Sequence, residues 1–94
     1  MAKTKLNFSL PVSFIREGSR IVAYSPAIDL STSGKTYKEA QRRFIEASSA
    51  FFEELAERGT MDQVLRELGW RKIRRQWTPS VVISQESQEV SVYA

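Results

Sequence analysis

The chain reads as an α+β protein: a three-stranded antiparallel sheet packed on one long helix, then a short second helix and one or more C-terminal strands. Three observations predict this. The N-terminal third alternates apolar and polar residues with a period of two, the mark of strands with one buried face. The middle third carries apolar residues at steps of three and four, the mark of an amphipathic helix. A threonine opens that helix and a glycine closes it.

Leu6, Phe8, Leu10, Val12 and Phe14 alternate with Asn7, Ser9, Pro11 and Ser13, and predict a first strand. Pro11 has no N–H to donate, so this strand is expected at a sheet edge or at a bulge. Glu17-Gly18-Ser19 makes a turn, and Arg20 to Ser25 is a second strand, antiparallel to the first. Pro26 breaks it. Ala27 to Ser33 is expected as a third strand, ended by Gly34.

Thr36-Tyr37-Lys38-Glu39 fits a capping box, in which hydroxyl and carboxylate satisfy otherwise unpaired N–H groups reciprocally. Tyr37, Ala40, Phe44, Ala47, Phe51 and Leu55 then form an apolar stripe, widened by Ile45 and Phe52. Phe44 and Phe51 are expected to face the sheet and build the core with Phe8, Leu10, Val12 and Phe14. Gly59 stops the helix near Arg58. Thr60 caps again, with Gln63 at the third position, and a short helix over Met61 to Leu68 ends at Gly69.

Trp70 to Trp77 can alternate as a strand, with Arg71, Ile73, Arg75 and Trp77 on one face. Val81 to Ile83 and Val90 to Tyr93 are β-prone, and the polar run Ser84 to Glu89 lies between them without a turn glycine. The 94 residues make a single domain, with a core over about 6–70 and a β-prone extension over 71–94. A chain of this size buries roughly 60–70% of its unfolded surface, enough for one core.

Composition removes several kinds of chemistry. Neither cysteine nor histidine occurs, so disulfides, thiol nucleophiles, the commonest general base and the commonest transition-metal ligand are all missing. Glu17, Asp29 and Glu39 are the nearest carboxylate candidates, and Glu39 is committed to the helix cap. No serine sits in a nucleophile elbow, and no base stands ready to activate one. Gly34-Lys35-Thr36 echoes the end of a phosphate-binding loop without its upstream glycine. The reading is a non-enzyme with no catalytic residues, metal or cofactor. No apolar run reaches the roughly 18–20 residues of a membrane span, and the N-terminus lacks a secretory leader pattern, so the expectation is cytoplasmic.

The formal charge is +3 with an isoelectric point near 9.5, and the excess is local. Arg66, Arg71, Lys72, Arg74 and Arg75 against Glu67 leave +4 between positions 66 and 75. One reading is a solvated face; the other is a nucleic-acid footprint of Arg71, Lys72, Arg74 and Arg75. Trp70 and Trp77 either pack against the helices or stack on bases.

Ala23-Tyr24-Ser25-Pro26, Asp29-Leu30, Ser33-Gly34-Lys35-Thr36 and Glu39-Ala40, in that order, resemble the HicB antitoxin family. Arg58-Gly59-Thr60-Met61 and Leu65 to Gly69 resemble the second-helix extension of its stand-alone members. The resemblance covers roughly Leu6 to Trp70. It implies a truncated ribonuclease H-like fold without catalytic carboxylates. It also implies a protein-binding role: neutralising a small basic mRNA-cleaving toxin of the HicA type, with Tyr24, Pro26, Asp29 and Leu30 as the partner-binding candidates. The toxin family relies on a catalytic histidine, which this chain does not have. The residues after Gly69 do not fit the DNA-binding domain that many such antitoxins carry. Nucleic-acid binding or solitary self-association are the alternatives. The apolar residues beyond Pro79 predict a homodimer or higher oligomer, with a disordered tail as the other outcome.

Overall fold

The structure is a computed structural model and describes residues 5–94. Strands β1 (Ser13–Glu17), β2 (Arg20–Ser25) and β3 (Leu30–Gly34) form one antiparallel sheet in the order β1-β2-β3. Helix α1 (Tyr37–Arg58) lies across it, followed by the short helix α2 (Met61–Glu67). A separate hairpin, β4 (Arg71–Ile73) and β5 (Gln76–Thr78), comes last. The α+β architecture is the one that the periodicities predict.

The first strand is shorter than its pattern suggests. Alternation begins at Leu6, yet pairing begins only at Ser13, opposite Tyr24. Pro11 offers no ladder donor, and the preceding residues find a better use for their apolar side chains. Phe8 stacks on Phe52 with ring centroids 4.3 Å apart, and meets the edge of Trp70 at 5.7 Å. β1 is an edge strand, and Pro11, expected within it at an edge or a bulge, lies outside the paired segment. Glu17 pairs with Arg20 across Gly18 and Ser19, and Gly18 takes the left-handed φ of 60° that this tight loop requires.

β3 also starts late. Ala27 and Ile28, expected in the strand, lie instead in the turn before it and are buried. The indole Nε1 of Trp70 donates to the Ala27 carbonyl at 2.7 Å, across 43 residues of sequence. Satisfying a buried carbonyl and a buried indole together outweighs the local strand propensity of this segment.

α1 follows its sequence signals closely. The Thr36 hydroxyl accepts from Glu39 N–H, and Gly59 closes the helix with φ 67°. The reciprocal half of the capping box is displaced by one residue: Glu39 Oε1 accepts from Lys35 N–H at 3.3 Å. The buried stripe runs Ala40, Phe44, Ser48, Leu55. Ser48 replaces the expected Ala47 on its midline, hiding its hydroxyl by donating to Phe44 O at 2.8 Å. Phe44 is buried, while Phe51, Phe8, Leu10, Val12 and Phe14 pack around the core half-buried.

Small residues set the distance between helix and sheet. A Cβ on Gly34 would sit 2.7 Å from the Ala40 nitrogen, so only glycine allows this approach. Arg43 then reaches back over the join, donating to Ser33 O at 2.9 Å and pairing with Glu39 at 3.2 Å. In α2, Leu65 is fully buried, and Thr60 supplies no side-chain cap despite its favourable position.

The single strand expected over Trp70 to Trp77 is a hairpin folded at Arg74-Arg75, with Ile73 opposite Gln76. Val81–Ile83 and Val90–Tyr93 form no strand, and residues 80–94 are exposed throughout. Among the described residues no helix is long and apolar enough to cross a membrane.

Candidate functional site

The sheet has one sealed face and one open face. The register places Phe14, Ala23 and Thr32 in one cross-strand row and Ser13, Tyr24 and Ser31 in the next, on opposite sides. The first side meets α1, where Ala23 is fully buried and Thr32 Oγ1 donates to Ala40 O. The second side carries Ser13, Ile15, Val22, Tyr24 and Ser33, and among the described residues no helix is laid over it. Tyr24 is one of the residues that the family resemblance singles out, whereas Ile15 and Val22 are marked in the sequence only by lying out of phase with the buried alternation.

At one end of the open face lies the β2–β3 corner. Pro26 ends β2 and is exposed, Ala27 and Ile28 plug the core, and Asp29 takes a left-handed φ of 49°. That conformation is costly for a residue with a Cβ, though aspartate tolerates it better than most. The Tyr24 hydroxyl holds the corner by donating to Asp29 Oδ1 at 3.1 Å. The same bond pushes the Tyr24 phenol above its ordinary range, with desolvation and the aspartate charge adding in the same direction. Leu30 does not join this group. It pairs with Ser25 on the sealed face and packs against the core. Of the four candidates, the fold therefore brings Tyr24 and Asp29 together, leaves Pro26 exposed beside them and turns Leu30 away.

The basic cluster is divided in a similar manner. Lys72 stands opposite Trp77 in the hairpin, with its ammonium 5.2 Å from the ring centroid and 3.7 Å from Asp62 Oδ2. Trp77 Nε1 donates to Asp62 Oδ1 at 3.2 Å, and the Arg66 guanidinium lies 5.5 Å from the same ring. Lys72 and Trp77 thus fasten the hairpin to α2, by cation–π and ionic contacts. Arg71, Arg74 and Arg75 are exposed and form no ion pair among the described residues. Arg74 and Arg75 both have positive φ, 51° and 67°, at the two central turn positions. Such a turn favours Asn-Gly, so two arginines here carry local strain. Trp70 is buried and Trp77 half-buried, so the pair packs inward.

A cleft of about 300 Å³ runs along the flank of α1, lined by Phe8, Leu10, Val12, Ile45, Ser48 and Phe52. Among the described residues no three potential ligands converge as a metal site. Among the described residues, the buried Ser25 Oγ has no hydrogen-bond partner. Compared with protein-family models, curated proteins and solved structures, the chain matches none.

Proposed function

We propose that this protein is a non-catalytic protein-binding module of the HicB-like antitoxin kind. It would act by covering the working surface of a small basic mRNA-cleaving toxin of the HicA type. The observation that carries the reading is the half-covered sheet, open on one face and ending in a corner preset by the Tyr24–Asp29 hydrogen bond. A platform already held in one conformation loses little entropy on association. Asp29 presents an exposed carboxylate at its rim, which suits a cationic partner. The ordered residues from Tyr24 to Ala40 that resemble the family fall on this corner and on the β3–α1 join behind it.

Co-expression with a HicA-type toxin tests the proposal. The wild-type chain is expected to restore growth and to block mRNA cleavage by the purified toxin. The Y24A/D29R variant, with unchanged circular dichroism, is expected to lose at least about tenfold in affinity, corresponding to roughly 1.4 kcal/mol. Equal protection by wild type and variant removes the corner from the interface. Absence of any complex with toxins of this class defeats the antitoxin reading.

A second reading, nucleic-acid binding, is favoured by Arg74 and Arg75 on the strained hairpin tip and Arg71 at the start of β4, all three exposed and without an ion pair among the described residues. On this reading, neutralising the three lowers the salt-dependence slope by about one unit per lost phosphate contact. Lys72 belongs to the hairpin anchor, so its replacement costs stability first. A wild-type chain with no affinity for RNA or DNA at low salt ends this reading.

A further inference from the structure

A cavity of about 360 Å³ opens between the N-terminal segment and the hairpin, lined by Lys5, Asn7, Phe8, Arg75, Gln76 and Trp77 together with Leu6. It shares no residue with the open face of the sheet. Sites for small ligands run from roughly 300 to 1,000 Å³, so this one is large enough for a single compact molecule. Its walls are held from behind. Phe8 stacks on Phe52 at 4.3 Å, and Trp77 Nε1 is tied to Asp62 at 3.2 Å. Anchored walls lose little conformational entropy when a ligand arrives.

The polar lining selects the ligand. Lys5 and Arg75 are exposed and form no ion pair among the described residues. Among the described residues no carboxylate lines the cavity. Two cations without a counter-ion call for an anion, and the guanidinium fork suits phosphate. Asn7 and Gln76 each bring an amide, a donor and an acceptor side by side, as the edge of a base requires. Phe8 and Trp77 add an apolar aromatic surface. With Arg66 and Lys72 already over its ring, Trp77 serves as a wall and not as a stacking platform. Arg75 reaches the cavity from a turn position with φ 67°, where Asn-Gly would relieve the strain and remove the charge. Strain of this kind collects at ligand clamps. Inorganic phosphate would use the cations alone, and an apolar ligand would leave them unpaired.

We propose that this cleft binds a nucleotide, either free or as one unit of a single strand. Lys5 and Arg75 hold the phosphate, Asn7 and Gln76 meet the edge of the base, and Phe8 and Trp77 wall it in. The proposal rests on the nucleic-acid reading for Arg75 and narrows it to a cleft that Arg71 and Arg74 do not line.

Calorimetric titration of the full chain tests it at about 50 mM salt, with adenosine monophosphate, adenosine, inorganic phosphate and an oligoadenylate of about eight nucleotides as probes. Adenosine monophosphate is expected to bind at least about tenfold more tightly than adenosine or phosphate. N7A/Q76A alters two exposed side chains, so circular dichroism is expected to stay unchanged. The double variant is expected to weaken the nucleotide at least about tenfold, and R71A/R74A by less than about threefold. K5A is expected to weaken it as well, without touching the hairpin. Tighter binding of the oligoadenylate, lost in N7A/Q76A, identifies a strand as the source of the nucleotide; equal affinities identify the free molecule. Absence of binding by both adenylates overturns the proposal. So does phosphate that binds as tightly as the nucleotide, or nucleotide binding that neither N7A/Q76A nor K5A weakens. Oligoadenylate binding that falls in R71A/R74A but not in N7A/Q76A overturns the cleft and leaves the nucleic-acid reading standing.

Discussion

The body from Ser13 to Trp70 and the arm from Arg71 to Ala94 are built from equally apolar stretches of sequence, yet they fold by different rules. In the body, most of the apolar stripe finds a complementary surface in the same chain, although Tyr37 and Ile45, expected in and beside the stripe of α1, are exposed. Ala23, Ala40, Phe44, Leu55 and Leu65 disappear from solvent together. In the arm, Val81 to Ile83 and Val90 to Tyr93 have the same β-prone character and remain exposed, with Val82 alone about half covered. Hydrophobic pattern specifies which residues seek cover, and topology decides whether cover lies within reach. The hairpin stands between these cases, since Trp77 and Lys72 fasten it to Asp62 and Arg66 of α2.

The contrast is tested most severely by truncating apolar side chains on each side of it. Phe44→Ala is expected to cost about 3–5 kcal/mol, because a 3%-exposed ring leaves a cavity under α1. Val81→Ala should change monomer stability by less than about 0.5 kcal/mol. Urea titration reads both, and similar losses at the two positions would erase the distinction. Gly34→Ala comes next, at about 1–3 kcal/mol, because the added methyl meets the Ala40 nitrogen at 2.7 Å and the helix must retreat. A neutral effect would mean that α1 sits farther from β3 than described.

Two smaller effects sharpen the picture of the body. Thr36→Ala removes the N-cap of α1 and is expected to cost about 1 kcal/mol in the same titration. Ser25→Ala deletes a buried hydroxyl that has no partner, and should leave stability unchanged or raise it by up to about 1 kcal/mol. A clear loss at Ser25 would reveal a bound water or ligand that satisfies it.

The smallest effect is electrostatic. The hydrogen bond to Asp29 raises the Tyr24 phenol, so the folded state holds its proton more tightly than the unfolded state does. Its contribution to stability is complete below the ordinary tyrosine range and is lost as the pH rises through the raised value. Spectrophotometric titration in a Y37F/Y93F background should show Tyr24 ionising late, and Asp29→Asn should bring it back toward the ordinary range. An unchanged titration in that variant would place the cause of the shift elsewhere.

Much of the body was legible in advance, for reasons particular to each element. The ends of α1 could be read because Thr36 and Gly59 act on neighbouring N–H and C=O groups. The pattern places the start of β1 at Leu6 because Leu6 to Val12 has the alternation of a strand, but Phe8 instead packs on Phe52 and Trp70 and ladder pairing begins only at Ser13. The Arg74-Arg75 turn left no signal, since arginine is not a residue that requests positive φ. At the candidate corner, residue type pointed to Tyr24, Pro26 and Asp29, but the opposed facing of Leu30 depends on where pairing with Ser25 begins.

Sequence alone determined the amphipathic helix and its caps, the order β-β-β-α, and the lack of histidine and cysteine chemistry. Each of these follows from composition or from interactions that reach only a few residues along the chain. Tertiary structure alone decided the Trp70–Ala27 bond, the Gly34–Ala40 approach, the Tyr24–Asp29 corner, and the exposure of the last residues. Those depend on surfaces brought together from distant positions, and a linear pattern does not encode the distance between them until the chain has closed on itself.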